Sequence, residues 1–361
     1  MADGPARRRE ALRAELAEQH LDAVVVAGAA NIRYLTGFTG SAAHLVVSAG
    51  RTVLVTDFRY AGQAPAEVGR EVDVRIERSS LWNGLRQSIG ALGIRRLGID
   101  RSRVTLAAWE EFRQVTAVEL VPVSGLVERL RVTKDLEEIE AIRDAARLAG
   151  EALASVVDFI RPGRTELEVA AELEAALRRR GSEWHPFQSI VAAGPRSALP
   201  HARSSERPIG VGEFLVVDFG AQVRGYCSDI TRTFVVGARA DQRQRDTYGV
   251  VREAQTRARG ALRAGLTGRE GDSLAREVIA RAGMGEAFGH SLGHGLGLEV
   301  HEDPRLSQTS ETPLPAGAVV TVEPGVYFDG WGGVRIEDDL VLVDGGAECL
   351  SDGRTDLVEL T

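Results

Sequence analysis

The sequence predicts a small α/β domain followed by a larger α+β domain built from two similar halves. The chain has 361 residues, more than the usual size of one domain. Up to about residue 125, short apolar runs alternate with amphipathic stretches, as in a layered α/β domain. Beyond residue 134, two helix patterns followed by a strand hairpin occur twice in succession. This repeated order predicts a second domain with pseudo-two-fold symmetry whose hairpins face each other.

The first domain is predicted to span residues 1–128 and to begin with an amphipathic helix. Its N-terminal basic residues are not followed by an apolar segment long enough for a signal peptide. A helix start at Asp135, with Glu138 three residues later, marks the change to the second domain, predicted at 129–361. Short apolar runs predict strands of the first domain at Ala23–Ala27, Leu45–Val47, Thr52–Thr56 and Val72–Ile76.

The second domain is predicted from its order of helices and strands. Thr165 with Glu168 forms a capping-box pattern, and Gly181 is expected to end that helix. No residue-level repeat relates the two halves, so the symmetry is inferred from topology alone. The predicted order is helices at about 135–160 and 165–180, a strand pair at about 213–236, helices at about 241–264 and 272–282, and a strand pair at about 318–344.

Composition excludes several classes of partner. The net charge of −8 argues against a nucleic-acid surface, which needs lysine and arginine in excess. No run approaches the roughly 20 apolar residues that a membrane helix requires. Cys227 and Cys349 have no paired spacing, so no disulfide framework is implied and a reducing compartment fits best. We therefore expect a cytoplasmic protein that binds neither nucleic acid nor membrane.

The first predicted hairpin carries two acids, Asp218 and Asp229, within apolar strands. They are equidistant from a turn centred between Val223 and Arg224, so the sequence predicts that they lie opposite each other. Residues paired across two strands have Cβ atoms about 4.5–5.5 Å apart, at which distance two like charges repel. A cation or a shared proton would remove that penalty.

The second predicted hairpin repeats this arrangement with Glu323 and Glu337, placed symmetrically about Gly330. This register is less secure because Pro324 interrupts the strand pattern and the loop is long. Four acids within apolar strands are costly unless compensated, and oxygen ligands in that number favour divalent metal ions. Three further acids are interpreted as ordinary surface charges: Glu302, Asp338 and Asp339.

Three of the seven histidines lie within twelve residues, at His290, His294 and His301. Such clustering is typical of metal ligation or of acid–base catalysis. The first two have helical spacing, but the glycines around them favour a loop or strand. His201 is an isolated candidate in a loop. The H-x-D spacing of His301 and Asp303 leaves a non-haem iron site as the weaker alternative.

Ligation by carboxylates and histidine predicts metal-assisted hydrolysis. Two cations would share and acidify a water, which attacks a carbonyl polarised by the same ions, while nearby imidazoles donate to the developing oxyanion. The sequence contains no G-x-S-x-G nucleophile motif, no Walker loop and no catalytic cysteine with a partnered histidine.

At these residues the chain resembles the pita-bread metallopeptidases, in the proline-specific branch of Xaa-Pro aminopeptidases and Xaa-Pro dipeptidases (prolidases). The segments NIRYLTGFTGS and VTDFRYAGQA resemble the creatinase-like N-terminal domain of that branch. The resemblance covers essentially the whole chain, and its catalytic motifs come in family order: SALPH, VVDFGAQVRGYCSDITRTF, GHSLGHGLGLEVHEDP, TVEPGVY and GGVRIEDD.

This resemblance implies a set of roles for the candidate residues. His201 would shuttle a proton, while His290 and His301 would lie near the scissile carbonyl and the proline. Arg335 would support the metal shell, with Asp229 and Glu337 bridging the two ions. The resemblance also implies an RNase H-like N-terminal domain, a homodimer, and manganese as the activating ion with cobalt or zinc as alternatives. The five metal ligands would be Asp218, Asp229, His294, Glu323 and Glu337.

Within this branch, the N-terminal motifs YLTGFTGS and TDFRY resemble those of bacterial aminopeptidases P. This resemblance favours an Xaa-Pro aminopeptidase that uses a metal-bridging hydroxide. The alternative is an Xaa-Pro dipeptidase, in which Arg305 could bind the carboxylate of the substrate proline. Arg305 could equally be a solvated charge. A catalytically silent binding module is disfavoured because no metal-binding position departs from the pattern. A methionine aminopeptidase is disfavoured because the first ~125 residues would lack a purpose.

Overall fold

The computed structural model describes residues 4–115 and 118–361, in two compact units. One unit ends at Arg131 and the other begins at Val132. The predicted domain boundary between residues 128 and 129 falls within the helix Leu126–Val132 and stays a prediction.

The first unit contains a six-stranded sheet with helices, and the four predicted strands are confirmed. The sheet order is β4-β3-β2-β1-β5-β6, in which β1–β2 and β2–β3 are antiparallel and the other pairs parallel. The elements are α1 (Gly4–Glu18), β1 (Ala23–Val26), α2 (Ala29–Thr36), β2 (Ala43–Ser48), β3 (Thr52–Asp57), α3 (Gln63–Glu67), β4 (Val72–Glu77), α4 (Leu81–Ala91), β5 (Arg96–Asp100), α5 (Leu106–Val115), β6 (Glu119–Val123) and α6 (Leu126–Val132).

The second unit confirms the repeated order of two helices and a hairpin. Two sheets form its core, ordered β19-β11-β8-β7 and β13-β12-β14-β17-β18, with short pairs β9–β10 and β15–β16. The elements are α7 (Leu136–Val156), α8 (Glu166–Arg179), β7 (Ile190–Ala193), β8 (Glu213–Phe219), β9 (Gln222–Val223), β10 (Tyr226–Cys227), β11 (Ile230–Val236), α9 (Gln242–Ala261), α10 (Gly268–Arg281), β12 (Gly293–Gly295), β13 (Glu302–Leu306), β14 (Val319–Val322), β15 (Gly325–Phe328), β16 (Gly332–Arg335), β17 (Asp338–Val343), β18 (Gly346–Cys349) and β19 (Val358–Leu360).

All four helices α7 to α10 begin with a capping box. In each, the side chain of the N-cap residue accepts a hydrogen bond from the backbone N–H of the third helical residue, whose side chain accepts one from the N-cap backbone N–H. The predicted box of Thr165 and Glu168 is therefore confirmed. Helix α10 begins four residues earlier than predicted because Thr267 caps it. A Cβ at Gly271 would lie 3.1 Å from the Leu262 side chain, so close packing favours glycine inside this helix.

The predicted register of the first hairpin is wrong: Asp218 lies opposite Thr231, not opposite Asp229. The turn is centred between Arg224 and Gly225, one residue later than expected. Both of these residues have positive φ, 51° and 81°, as a two-residue turn of type I′ requires. Asp229 precedes Thr231 by two residues, and alternate residues share a face of a strand. The two acids are therefore diagonal neighbours on one face.

The predicted register of the second hairpin is confirmed. Val322 pairs with Asp338 on one side, and Gly325 pairs with Arg335 on the other. Glu323 and Glu337 therefore occupy matching positions between the two paired segments.

The interpretation of three acids as surface charges is wrong. Asp338 and Asp339 are fully buried, and the Glu302 side chain is only 7% exposed. Glu302 forms an ion pair with buried Lys134 at 3.2 Å, and Asp338 forms one with Arg232 at 2.8 Å. Buried carboxylates persist where cations and hydrogen-bond donors compensate them, and these donors come from distant parts of the chain.

Both cysteines, Cys227 and Cys349, are free in the structure. Across the two described ranges, no helix has the combination of length and apolar character that crossing a bilayer requires.

Candidate metal centre and active site

Four acids and one histidine meet where the two hairpins face each other. Each lies within a strand or at its end, so the sheets fix its position. Asp218 is in β8, Asp229 precedes β11, His294 is the middle residue of β12, Glu323 follows β14 and Glu337 precedes β17.

Single ligand atoms of Asp229, His294 and Glu337 all lie within 4.8 Å of one another. The Nε2 atom of His294 is 3.5 Å from Oε1 of Glu323 and 3.8 Å from Oδ2 of Asp229. These distances are too long for hydrogen bonds of good geometry. They leave a space that is surrounded by oxygen and nitrogen lone pairs.

The acids of this cluster are only partly compensated within the described part of the chain. Oδ1 of Asp218 and Oδ1 of Asp229 are buried and accept no hydrogen bond there. Burial, followed by the charges of neighbouring acids, raises the pKa of Asp229 and of Glu337 well above the usual carboxyl range. Burial also raises the pKa of Glu323 to about 8. Such crowding is relieved by a cation, so the donor set fits divalent metal ions.

His294 presents the correct nitrogen to these acids. Its Nδ1 lies 3.0 Å from the carbonyl oxygen of Gly295, which places the proton there and the Nε2 lone pair towards the acids. Burial lowers the pKa of His294 to about 4, so the ring is neutral near pH 7. A Cβ at Gly293 would lie 2.0 Å from the Thr321 carbonyl oxygen. Close approach of the neighbouring backbone therefore requires the glycine of this motif.

Arg335 is buried and joins several residues of the cluster. Its Nη2 donates to Oδ2 of Asp218 at 2.6 Å, and its Nη1 donates to the Tyr327 hydroxyl at 2.9 Å. Its Nε donates to Thr231 Oγ1, which in turn donates to Oε2 of Glu337 at 2.6 Å. Sequence reasoning missed Tyr327 and Thr231. The signal for Thr231 was its position two residues after Asp229, on the same strand face.

A cavity of about 370 Å³ opens onto the cluster. Phe187 and Ile190, which were not predicted, give it an apolar part. The structure brings all ten predicted site residues to this one cavity, and their individual roles stay predictions. The ten are His201, Asp218, Asp229, His290, His294, His301, Arg305, Glu323, Arg335 and Glu337.

The histidines of the cavity differ in their surroundings. Nε2 of His290 lies 3.0 Å from the Tyr327 hydroxyl and its Nδ1 lies 2.8 Å from the Ser291 carbonyl oxygen. Burial lowers the pKa of His290 to about 4 and also lowers the pKa of His301. His201 and His301 are exposed to solvent. Three imidazoles thus line the cavity beside the acidic cluster.

Two family models match the chain. The model "Metallopeptidase family M24" matches residues 140–344, and the model "Creatinase/Prolidase N-terminal domain" matches residues 8–133. The chain belongs to metallopeptidase family M24. The resemblance drawn from the sequence is confirmed, and so is the fold: a creatinase N-terminal domain followed along the chain by an M24 catalytic domain of pita-bread type.

Members of the M24 family with known structure or curated names resemble the chain over nearly its full length. A solved Xaa-Pro dipeptidase from Bacillus anthracis is 40% identical, with a TM-score of 0.95 and coverage of 99% of this chain and 100% of that one. A solved X-Pro aminopeptidase from Thermotoga maritima is 37% identical, with a TM-score of 0.91 and coverage of 98% and 99%. A curated Xaa-Pro dipeptidase from Pyrococcus furiosus is 37% identical over 94% of this chain and 96% of its own length.

Proposed function

We propose that this M24 metallopeptidase is an Xaa-Pro dipeptidase, which hydrolyses dipeptides whose second residue is proline. This proposal replaces the Xaa-Pro aminopeptidase that the N-terminal sequence motifs favoured. Two of the relatives named above are called Xaa-Pro dipeptidases, against one X-Pro aminopeptidase. The observation that carries the proposal is the placement of Arg305 in the cavity.

Arg305 lies in β13 directly opposite His294, so its position relative to the acidic cluster is fixed by strand pairing. It lines the cavity, where its charge is among the causes that lower the pKa of His301, after burial. Among the described residues, no carboxylate forms an ion pair with Arg305. A dipeptide ends in a carboxylate next to its proline, whereas a longer peptide continues as a chain. An arginine without a partner at this place favours the dipeptide.

We also propose that five side chains hold two divalent ions, with Asp229 and Glu337 shared between the ions. Four carboxylates and one imidazole suit manganese, with cobalt or zinc as alternatives. Such ions supply an acidified water and polarise the scissile carbonyl. The ligands would be Asp218, Asp229, His294, Glu323 and Glu337.

The chain's own residues would then complete the chemistry. Arg335, through its hydrogen bond to Asp218, orients that carboxylate. His201 is exposed at the cavity and would carry the proton between the reacting groups and solvent. His290 and His301 would lie near the scissile carbonyl and the proline. The homodimer and the role of residues 1–128 as a separate N-terminal domain belong to the same proposal.

The proposed function predicts which substrate is cleaved. Metal-stripped protein would be incubated with Gly-Pro and with a tripeptide of the form Gly-Pro-Xaa, each with and without Mn²⁺. We expect manganese-dependent release of glycine, faster from Gly-Pro by at least about tenfold, the value of one charged hydrogen bond. Faster cleavage of the tripeptide would favour an aminopeptidase instead. Absence of cleavage of both substrates would reject proline-specific hydrolysis.

Substitution of Arg305 by methionine should raise the KM for Gly-Pro about 10- to 100-fold, because one charge-assisted contact to the substrate carboxylate is lost. Glycyl-prolinamide is the matched control substrate, since it lacks that carboxylate. Its hydrolysis should change less than about threefold between the parent and the Arg305→Met variant. Equal losses on both substrates would show that Arg305 does not bind the carboxylate.

A further inference from the structure

A wholly buried carboxylate stands on the second helix of each half of the catalytic domain. Glu166 lies in the first turn of α8 and Asp272 lies in α10, and neither side chain is exposed. Neither acid lines the cavity. Burial of an ionised carboxylate is costly unless it is paired and fully hydrogen-bonded, so both acids call for an explanation.

Glu166 closes the loop that carries His201. Its Oε1 accepts from the backbone N–H of Ala193 at 2.9 Å, before the histidine. Its Oε2 accepts from the backbone N–H of Ser205 at 3.1 Å and from the Ser205 hydroxyl at 2.7 Å, after the histidine. The Nε of Arg196, within the loop, donates to the same carboxylate at 3.0 Å. One carboxylate therefore ties both ends of the segment to helix α8.

Asp272 performs the same task for the segment that carries His290. Its Oδ1 accepts from the backbone N–H of Leu292 at 3.0 Å, and its Oδ2 accepts from Nε of Arg276 at 2.6 Å. Arg276 in turn donates to the carbonyl oxygens of Phe288 at 2.9 Å and of His290 at 2.7 Å. Its guanidinium group lies 4.1 Å from the centre of the Phe288 ring. The backbone on both sides of the histidine is thus held from helix α10.

These contacts matter for the cavity because they end on the backbone of the two histidine segments. Within the described ranges, no hydrogen bond holds the imidazole of His201, so its place depends on its loop. The Arg276 bond is made to the His290 residue itself. A displacement of about 1 Å in a reacting group can lower turnover by about 100-fold.

We propose that Glu166 and Asp272 are positioning residues for the hydrolysis, Glu166 acting through His201 and Asp272 acting through His290. The inference rests on the proposed function. Each half of the domain thereby supplies one cavity histidine and one buried acid that fixes it. Neither acid contacts the substrate cavity or a metal ligand. Replacement of either acid should therefore lower kcat only when the histidine that it positions is intact.

Two double-mutant cycles test this. The kcat for Gly-Pro is measured with saturating Mn²⁺ for Glu166→Gln, His201→Ala and their combination, and for Asp272→Asn, His290→Ala and their combination. We expect Glu166→Gln to lower kcat about 10- to 100-fold in the parent and less than about threefold when His201 is already alanine. Asp272→Asn should behave in the same way with His290. The crossed pair, Glu166→Gln with His290→Ala, should show multiplied losses.

Two solvent-accessible glutamates on the same two helices give matched controls. Glu172 on α8 and Glu277 on α10 form surface ion pairs, and their replacement by glutamine should leave kcat unchanged. Equal losses with and without the matched histidine would overturn the inference and show that the acids only stabilise the fold. An inactive parent protein would instead reject the proposed function.

Milder variants keep the test valid if the buried substitutions prevent folding. Ser205→Ala removes only part of the contact to Glu166, and Arg276→Lys keeps the positive charge beside Asp272 while losing the fork of donors. Each would enter the same cycle, with thermal melting as the check of folding. Losses of kcat that persist unchanged without the matched histidine would again overturn the inference.

Discussion

Replacement of Glu337 by glutamine is expected to lower kcat about 1000-fold and yet to make the metal-free protein more stable. Glu337 is buried at the centre of the acidic cluster, and burial together with the charges of Glu323 and Asp218 raises its pKa well above the usual range. Removing this charge would weaken the proposed metal site, and a loss of about 4 kcal/mol of transition-state stabilisation corresponds to about 1000-fold. The same change removes like-charge repulsion when no cation is present.

The two effects are measured separately, as kcat with saturating Mn²⁺ and as the melting temperature with a chelator. Glutamine can still accept the hydrogen bond from Thr231, so the local geometry is retained. Glu348→Gln, on the exposed face of a neighbouring strand, is the matched control and should change neither quantity. A metal-free Glu337→Gln protein that melts below the parent would contradict the account of mutual repulsion.

The acids of the acidic cluster could be predicted because charged residues within apolar strands are conspicuous. Glu323 and Glu337 were placed correctly since the hairpin is symmetric about Gly330. The first hairpin was not, because its turn places Arg224 at positive φ, a conformation that arginine rarely adopts. The register error was two positions in the partner strand, so the face of Asp229 was still correct.

The buried acids outside the cluster could not be predicted in this way. Asp338 is compensated by Arg232 and Arg259, and Glu166 is compensated by Arg196 and by backbone groups of a loop. Those partners are distant in sequence, so local patterns make each acid look like an ordinary surface charge. Pairing of this kind is a property of the folded chain, and only the structure reveals it.

The sequence-based preference for an aminopeptidase over a dipeptidase rested on the motifs YLTGFTGS and TDFRY, which belong to the first unit. Among the described residues, those that line the cavity all belong to the second unit. The sequence nevertheless contained the relevant signal, because Arg305 follows His301 by four residues. The register of β12 and β13 shows that this arginine lies opposite His294, and its binding of a substrate carboxylate stays a proposal.

The metal-free protein is expected to lose stability as the pH rises from about 6.5 to about 8. Burial and mutual repulsion raise the pKa of Asp229 and Glu337, and burial raises the pKa of Glu323 to about 8. In the unfolded chain these carboxyls have ordinary pKa values near 4. Below about pH 6.5, buried His290 and His294 oppose the effect of these acids, because their pKa values are lowered to about 4 and the unfolded chain binds their protons instead. Above that pH the folded state holds more protons than the unfolded state, so the free energy of unfolding falls with rising pH.

Melting temperatures of chelator-treated protein at pH 5, 6, 7 and 8 measure this slope, and Glu323→Gln should flatten it whereas Glu348→Gln should not. Mn²⁺ at about 100 times its dissociation constant should add about 2.7 kcal/mol, or about 5–10 °C, with the largest effect at pH 8. A metal-free melting temperature that stays level or rises from pH 7 to 8 would contradict the prediction. The acids that destabilise the empty fold are, on this account, the ones that make metal binding and folding mutually dependent.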